Sequence, residues 1–153
     1  MITIKGTRFG DIEFEKADVI HFAQGMIGFK KLNKYVVVHT KEGSPYSWLQ
    51  SVQEPKLAFL VSIPESFVSE YSPEISDGEA ESLGLHPETP HLILVATTIP
   101  QGNPQLATAN LAAPIIINLE TRKAKQVILE DEAYTIRYPI FAGQQEDVKL
   151  AAA

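Results

Sequence analysis

The sequence predicts an all-β, mainly antiparallel fold: one barrel-like domain with one short helix near residues 77–83. Three observations favour this fold. The apolar runs are short and strand-like, turn residues separate them at regular intervals, and a helix signal stands out in one place. A chain of 153 residues suits one domain, which we expect over 1–143, with 144–153 as a frayed tail or a short terminal helix.

The strand candidates follow one another along the chain. Residues 2–4 and 12–15 alternate apolar and polar side chains, which is typical of strands with one buried face. Later candidates are rich in β-branched or aromatic residues and lie at 35–38, 48–52, 57–61, 92–99, 115–117, 127–129 and 134–138. The triplet Ile115–Ile117 predicts a strand that is buried on both faces or tightly curved.

The helix prediction depends on its two ends. Ser76 and Glu79 have the spacing of a capping box, in which each side chain accepts a hydrogen bond from the backbone N–H of the other residue. Gly84 stands where a helix commonly ends in a left-handed residue. Asp77 and Glu79 also favour the helix dipole at this end, so their acidity has a local explanation.

The charge of the chain is divided unevenly. Residues 57–121 contain no Lys and no Arg, so they carry −8, while the rest of the chain carries +2 and the total is −6. Such a stretch is either a solvated loop region or a surface that attracts basic partners and repels nucleic acid. Its acids are Glu65, Glu70, Glu74, Asp77, Glu79, Glu81, Glu88 and Glu120.

Residues typical of a catalytic or metal site are scarce. The chain has no cysteine, which excludes disulfides, thiolate metal sites and cysteine nucleophiles. His86 and His91 are five residues apart, a spacing that does not place them on one helical face for a metal ion. There is no phosphate-binding or nucleophile-elbow motif, so we expect no cofactor. The first residues lack the pattern of a signal peptide and no apolar run is long enough to span a membrane, so we expect a cytoplasmic protein.

Three stretches together carry a resemblance to a known family. The first is Phe22–Phe29, with the sequence FAQGMIGF; the second runs from Trp48 to Pro64 and includes WLQS and EPKLAF. The third begins with NLAAPIIIN at 110–118 and continues with QVIL and a Tyr-x-x-Arg-x-Pro pattern ending at Pro139. In this order and spacing, the sequence resembles the flagellar assembly factor family FliW from about residue 2 to residue 140.

The resemblance implies a β-barrel-like fold and no enzymatic activity. It also implies two protein partners in the cytoplasm: flagellin, and CsrA, a small basic dimer that represses flagellin translation by binding its messenger RNA. The resemblance further implies that the factor is freed when secretion removes flagellin, that it then captures CsrA, and that translation resumes. The chain departs from the family pattern at Ile27, Ile63 and Ala112, which affects turns and surface more than fold.

The motif residues divide into expected core and expected contacts. Trp48, Phe59, Leu111 and 115–117 are expected in the core, while Gly25, Gly28 and Pro114 fix the backbone. Contact with a partner is expected at the turn and at the acids that have no local helical role. These candidates are Met26, Ile27, Glu65, Glu70, Glu74, Glu81 and Asn110, the last of which is equally suited to capping a turn.

Two other function classes stay open. A barrel of this kind is compatible with a flavin-type enzyme, which a yellow chromophore in the purified protein would indicate. The aromatic residues are compatible with a single-strand nucleic-acid binder, although the acidic stretch opposes it and we expect no direct nucleic acid. Nothing in the sequence demands more than a monomer when the protein is free.

Overall fold

The computed structural model describes residues 1–131 and 133–141, so the tail expected at 144–153 lies outside the described residues. Over the described part, the chain forms eleven β-strands and one α-helix, α1 (Asp77–Ser82). The strands are β1 (Ile2–Thr7), β2 (Gly10–Phe14), β3 (Ile20–Phe22), β4 (Lys34–Val38), β5 (Tyr46–Ser51), β6 (Ala58–Ser62), β7 (His91–Thr98), β8 (Thr108–Ala109), β9 (Ile115–Asn118), β10 (Lys123–Gln126) and β11 (Tyr138–Pro139).

Seven of these strands close into a barrel. Their order around it is β7, β6, β5, β4, β3, β10 and β9, and β9 pairs again with β7 to complete the ring. Every pair is antiparallel except β3 and β10, which run parallel. The short strands β8 and β11 extend the sheet beyond β7. The prediction of an all-β, mainly antiparallel barrel with one short helix is confirmed.

The barrel core lies inside the ring, and β9 contributes to packing on both of its faces. Ile115 and Ile117 belong to the central cluster with Phe22, Tyr35 and Leu49. Ile116 points the other way and packs against a second cluster with Leu83 and Val127 on the outside of the barrel. All four residues of β9 are buried, as the apolar triplet predicts.

The first two strands form a separate hairpin outside the barrel. Ile4 and Phe14 from this hairpin pack against Val36 of β4 and so cover the outer face of that strand. Trp48, which was expected in the core, is instead half-buried. The guanidinium carbon of Arg8 lies 4.1 Å from the centre of one Trp48 ring, a distance at which a cation–π contact stabilises the pair.

The helix begins and ends close to where the sequence predicts. The Ser76 Oγ accepts a hydrogen bond from the Glu79 N–H at 3.2 Å. At the other end, Gly84 has φ +67°, and the Leu85 N–H donates to the Ala80 carbonyl at 2.8 Å. This pattern is a Schellman motif, which satisfies carbonyls that the helix itself leaves without partners.

One half of the predicted capping box is not formed. The Glu79 carboxylate does not return to the Ser76 N–H; it binds the Nζ of Lys125 on β10, with N–O distances of 2.7 and 2.9 Å. Both side chains are less than one third exposed. A charge-assisted hydrogen bond at a half-buried position is stronger than a bond to a neutral N–H, which explains the change of partner.

The predicted strand at 127–129 is irregular. The Val127 N–H donates to the Pro114 carbonyl and the Leu129 N–H to the Ala112 carbonyl, so the segment continues the line of β10 beside residues 112–114. Proline has no N–H to donate in return, and the hydrogen-bond ladder is therefore incomplete. The regular strand ends at Gln126 for this reason.

The predicted strand at 134–138 was wrong for most of its length, because only Tyr138 and the next residue pair as β11. The Tyr134 ring instead packs edge-on against Tyr71 with their centres 4.9 Å apart. The Tyr71 hydroxyl donates to the Leu111 carbonyl at 2.6 Å, and the Leu111 N–H donates to the Thr135 carbonyl at 2.9 Å. Ring packing and single hydrogen bonds, not a ladder, hold this segment on the barrel.

Replacing Glu79 by Gln tests the pair between α1 and β10. We expect Glu79→Gln to lower the free energy of unfolding by about 1–2 kcal/mol, because the half-buried Lys125 ammonium loses its charged partner. Urea unfolding at neutral pH measures the change. Glu81→Gln is the control on the same helix; Glu81 is exposed, and we expect its change to stay within about 0.5 kcal/mol. Equal losses in the two variants would contradict a stabilising role for the pair.

Two tyrosines, the buried Tyr35 and the half-buried Tyr71, predict a loss of stability in alkali. Burial raises the pKa of Tyr35 to about 12, and burial followed by the nearby Tyr134 and Glu65 raises the pKa of Tyr71. An unfolded tyrosine has a pKa of about 10. The native state therefore holds these protons more tightly, and the stability that they contribute is complete below pH 10 and is lost as the pH rises toward 12.

Single substitutions by Phe separate the contributions of Tyr35 and Tyr71 to stability. No described residue accepts a hydrogen bond from the Tyr35 hydroxyl, so we expect Tyr35→Phe to be neutral or stabilising at pH 7 and to flatten the alkaline loss. Tyr71→Phe removes the bond to Leu111 and is expected to cost about 1 kcal/mol at pH 7. Urea unfolding between pH 7 and pH 11 measures both. A steeper alkaline loss in Tyr35→Phe than in the parent chain would refute this account.

Candidate functional site

The acids of the lysine-free stretch gather in one connection. Residues 63–90 join β6 to β7 over the outside of the barrel, and we call them the acidic connection. They contain all the acids of the stretch except Glu120, and all of these except Glu79 are exposed. The exposed members are Glu65, Glu70, Glu74, Asp77, Glu81 and Glu88.

Within the described part of the chain, the exposed acids of the connection have no basic partner. Among residues 1–131 and 133–141, the ion pairs within 4 Å are Glu79 with Lys125 and Glu15 with the terminal amine of Met1. Glu65, Glu70, Glu74 and Glu81 therefore direct uncompensated negative charge into solvent. Such a surface speeds the approach of a basic protein and slows the approach of nucleic acid.

The turn at 22–29 does not present both predicted contact residues. Met26 is only 2% exposed and belongs to the barrel core, so its expected place on the surface was wrong. The turn folds inward at Gly25, which has φ +66° and where a Cβ would overlap the carbonyl oxygen of Phe29. Ile27, in contrast, is 51% exposed, and its N–H donates to the Gln126 Oε1 at 3.1 Å.

Asn110 caps a turn, which is the alternative to partner contact that its sequence position suggests. Its side-chain Oδ1 accepts a hydrogen bond from the Ala112 N–H at 3.0 Å. Its own N–H donates to the Ala96 carbonyl at 2.9 Å, which ties the turn to β7. The side chain is half-buried, and these bonds explain an asparagine here without a partner.

An open groove runs between the turn at 22–29 and the end of β10. Its volume is about 700 Å³, and its lining includes the side chains of Ile27, Lys125, Gln126 and Ile128. Ile128 is 70% exposed and is the outward-facing residue of the irregular segment at 127–129. The groove therefore places exposed apolar surface beside the ion pair that holds α1.

A second recess adjoins this groove on the side of the acidic connection. It has a volume of about 400 Å³ and is lined by Glu74, Ile75, Ser76, Glu79 and residues 127–131. The two recesses share Glu79 and Ile128. Apolar contact area and uncompensated carboxylates thus form one continuous surface, a combination that suits the docking of a basic protein segment.

The structure brings together only part of the predicted site. Ile27 lines the groove and Glu74 lines the second recess, whereas Glu65, Glu70 and Glu81 lie elsewhere on the acidic connection. Sequence reasoning missed Lys125 and Ile128, since a lysine outside the acidic stretch and an isoleucine in an apolar run carry no local signal. They follow the end of the acidic connection, residue 90, by 35 and 38 residues, and only the fold brings them near it.

Neither a metal site nor a membrane-spanning helix is found among the described residues. No group of three or more His, Asp or Glu side chains lies close enough there to hold a metal ion. Among the same residues, no helix is long and apolar enough to cross a bilayer.

Comparison with known proteins places this chain in a family. The family model described as FliW protein matches residues 3–140. A flagellar assembly factor FliW from Leptospira biflexa is 39% identical over 145 residues, covering 95% of this chain and 95% of that protein. The protein of the same name from Bdellovibrio bacteriovorus is 38% identical, covering 95% of this chain and 82% of its own length.

A solved structure agrees with the sequence matches. The crystal structure of the flagellar assembly factor FliW superimposes with a TM-score of 0.84 at 32% sequence identity, covering 93% of this chain and 99% of that one. The residues matched by the family model span the barrel strands, the acidic connection and the turn at 22–29. The chain belongs to the FliW family of flagellar assembly factors.

Proposed function

We propose that this chain is a non-enzymatic, cytoplasmic flagellar assembly factor that binds flagellin and antagonises the translational regulator CsrA. Family membership supports the assembly role, and the relatives are named for assembly and not for catalysis. The single observation that carries the CsrA part is the uncompensated acidic connection beside an exposed apolar groove. A protein that grips messenger RNA presents positive charge, and this surface is complementary to it.

The proposed mechanism is electrostatic coupling between two ligands of CsrA. When this acidic chain is bound near the RNA-binding face of CsrA, it adds negative charge there. The added charge weakens the binding of RNA phosphates by CsrA, although the chain does not occupy the RNA site itself. Each ligand then lowers the affinity for the other by the same factor, which is a coupling free energy. Flagellin regulates the process by occupying the factor until secretion removes it, after which the freed chain captures CsrA and translation resumes.

Neutralising the acidic connection tests this proposal. We expect the triple variant Glu65→Gln, Glu70→Gln and Glu74→Gln to lower the association rate with purified CsrA by about fivefold to tenfold at low ionic strength, because long-range attraction is lost. Raising the salt concentration to about 0.5 M should shrink the difference, since the Debye length falls below about 5 Å. Stopped-flow fluorescence or surface plasmon resonance measures the rates.

The matched control changes the charge equally at other exposed acids. Glu13→Gln, Glu42→Gln and Glu54→Gln lie outside the acidic connection and are exposed. We expect this control to retain most of the association rate. An association rate that does not respond to ionic strength, or equal losses in the two triple variants, would remove the electrostatic part of the proposal.

A further inference from the structure

In the segment after β10, the backbone of Ile128 is not used by the described part of the fold. Val127 and Leu129 both donate their N–H groups to residues 112–114. In an antiparallel pair, alternate residues direct their N–H and C=O groups to opposite sides, so those of Ile128 face away from 112–114. Within the described part of the chain, neither group of Ile128 has a hydrogen-bond partner.

The barrel itself explains why this edge is open. On that side β10 pairs with β3, but the pairing ends at Ala124 and Phe22. The chain then leaves the sheet through the turn at 22–29, and the groove occupies the space that a continuing strand would fill. The Gln126 side chain takes over one role of that strand by accepting the Ile27 N–H. Beyond Gln126, no described residue replaces that strand at Ile128.

We propose that an extended segment of a basic protein docks in this groove by forming main-chain hydrogen bonds with Ile128 and covering the side chains of Ile27 and Ile128. The inference rests on the proposed function, in which that basic protein is CsrA. Addition of a strand to an open edge gives affinity through the backbone, while the neighbouring side chains select the sequence. Here the side chains of Ile27 and Ile128 favour a segment with apolar residues at the positions that face the groove.

Charge complementarity decides the class of occupant. Glu74, Glu130 and Asp131 lie in the recess next to Ile128, are exposed, and have no basic partner among the described residues. A Lys or Arg of an incoming segment meets them at the Ile128 end of the groove. A second copy of this chain is disfavoured, because it carries a net charge of −6 and brings the same carboxylates to the interface.

The test combines a side-chain variant with a backbone measurement. We expect Ile128→Ser to weaken the affinity for purified CsrA by about tenfold, since an exposed isoleucine is lost from the contact. Ile136→Ser is the matched control: Ile136 is 62% exposed, lines neither recess, and its replacement should change the affinity by less than about twofold. Thermal unfolding checks that both variants fold like the parent chain.

Amide hydrogen exchange gives the main-chain readout. In the free protein the Ile128 amide should exchange rapidly, and saturation with CsrA should slow its exchange at least tenfold, because its N–H acquires an acceptor. CsrA that binds the parent chain with no protection at Ile128, or with equal affinity for Ile128→Ser, would overturn this inference while leaving the proposed function intact.

Two further outcomes are distinct from these. Failure of CsrA to bind the parent chain at all would refute the proposed function and the occupant together. Protection of Ile128 that increases with the concentration of the free chain alone would show a second copy in the groove and would overturn the inference by itself.

Discussion

The pairing of β7 with β9 is the constraint on which the rest of the structure depends. It closes the barrel over four residue pairs, from His91 with Asn118 to Leu94 with Ile115, and it leaves β9 with no free edge. The closure also gives β9 two apolar faces, and the outward face at Ile116 must be removed from water. The acidic connection provides this cover through Leu83 and Ile75, so its path over the barrel follows from the closure. Its carboxylates are exposed because its apolar residues face inward.

One buried side chain, Asn118, links the acidic connection to the turn before β10 by hydrogen bonds. The Asn118 Nδ2 donates to the Leu83 carbonyl at 2.8 Å, and its Oδ1 accepts from the N–H of Glu120 at 2.9 Å. The same amide thus joins the end of α1 to the turn that leads into β10. That turn sets the position of Lys125, whose ammonium holds Glu79 of the helix. Because these contacts are continuous, the acidic connection and the groove are parts of one mechanical unit, and a buried amide with satisfied hydrogen bonds is well suited to fixing their relative position.

Local chemistry determined how much of this could be predicted from the sequence. The helix was predictable because Ser76 and Gly84 act on backbone groups only a few residues away, and the burial of β9 was predictable because three consecutive isoleucines leave no polar face. The direction of the turn at Gly25 was not, since Met26 turns inward into a barrel core that includes Ile115 and Ile117 of β9, almost 90 residues further along the chain. Ile128 was missed because residues 127–129 are all aliphatic, and the sequence alone does not show which of them is exposed. In the structure the acidic connection covers residues 127 and 129, whereas Ile128 is exposed.

The proposed surface assigns the rate of association and the lifetime of the complex to different residues. Carboxylates that have no partner act over a Debye length of about 8–10 Å and therefore influence the encounter before contact is made. The groove acts only on contact, through apolar area and the backbone of Ile128, and so governs how long a complex lasts. A ligand that covers the groove alone would leave the acidic field in place, and a basic partner would still approach quickly but would leave quickly as well. Under the proposed function, release of the groove is therefore sufficient to convert a short encounter into capture, without any change in the fold.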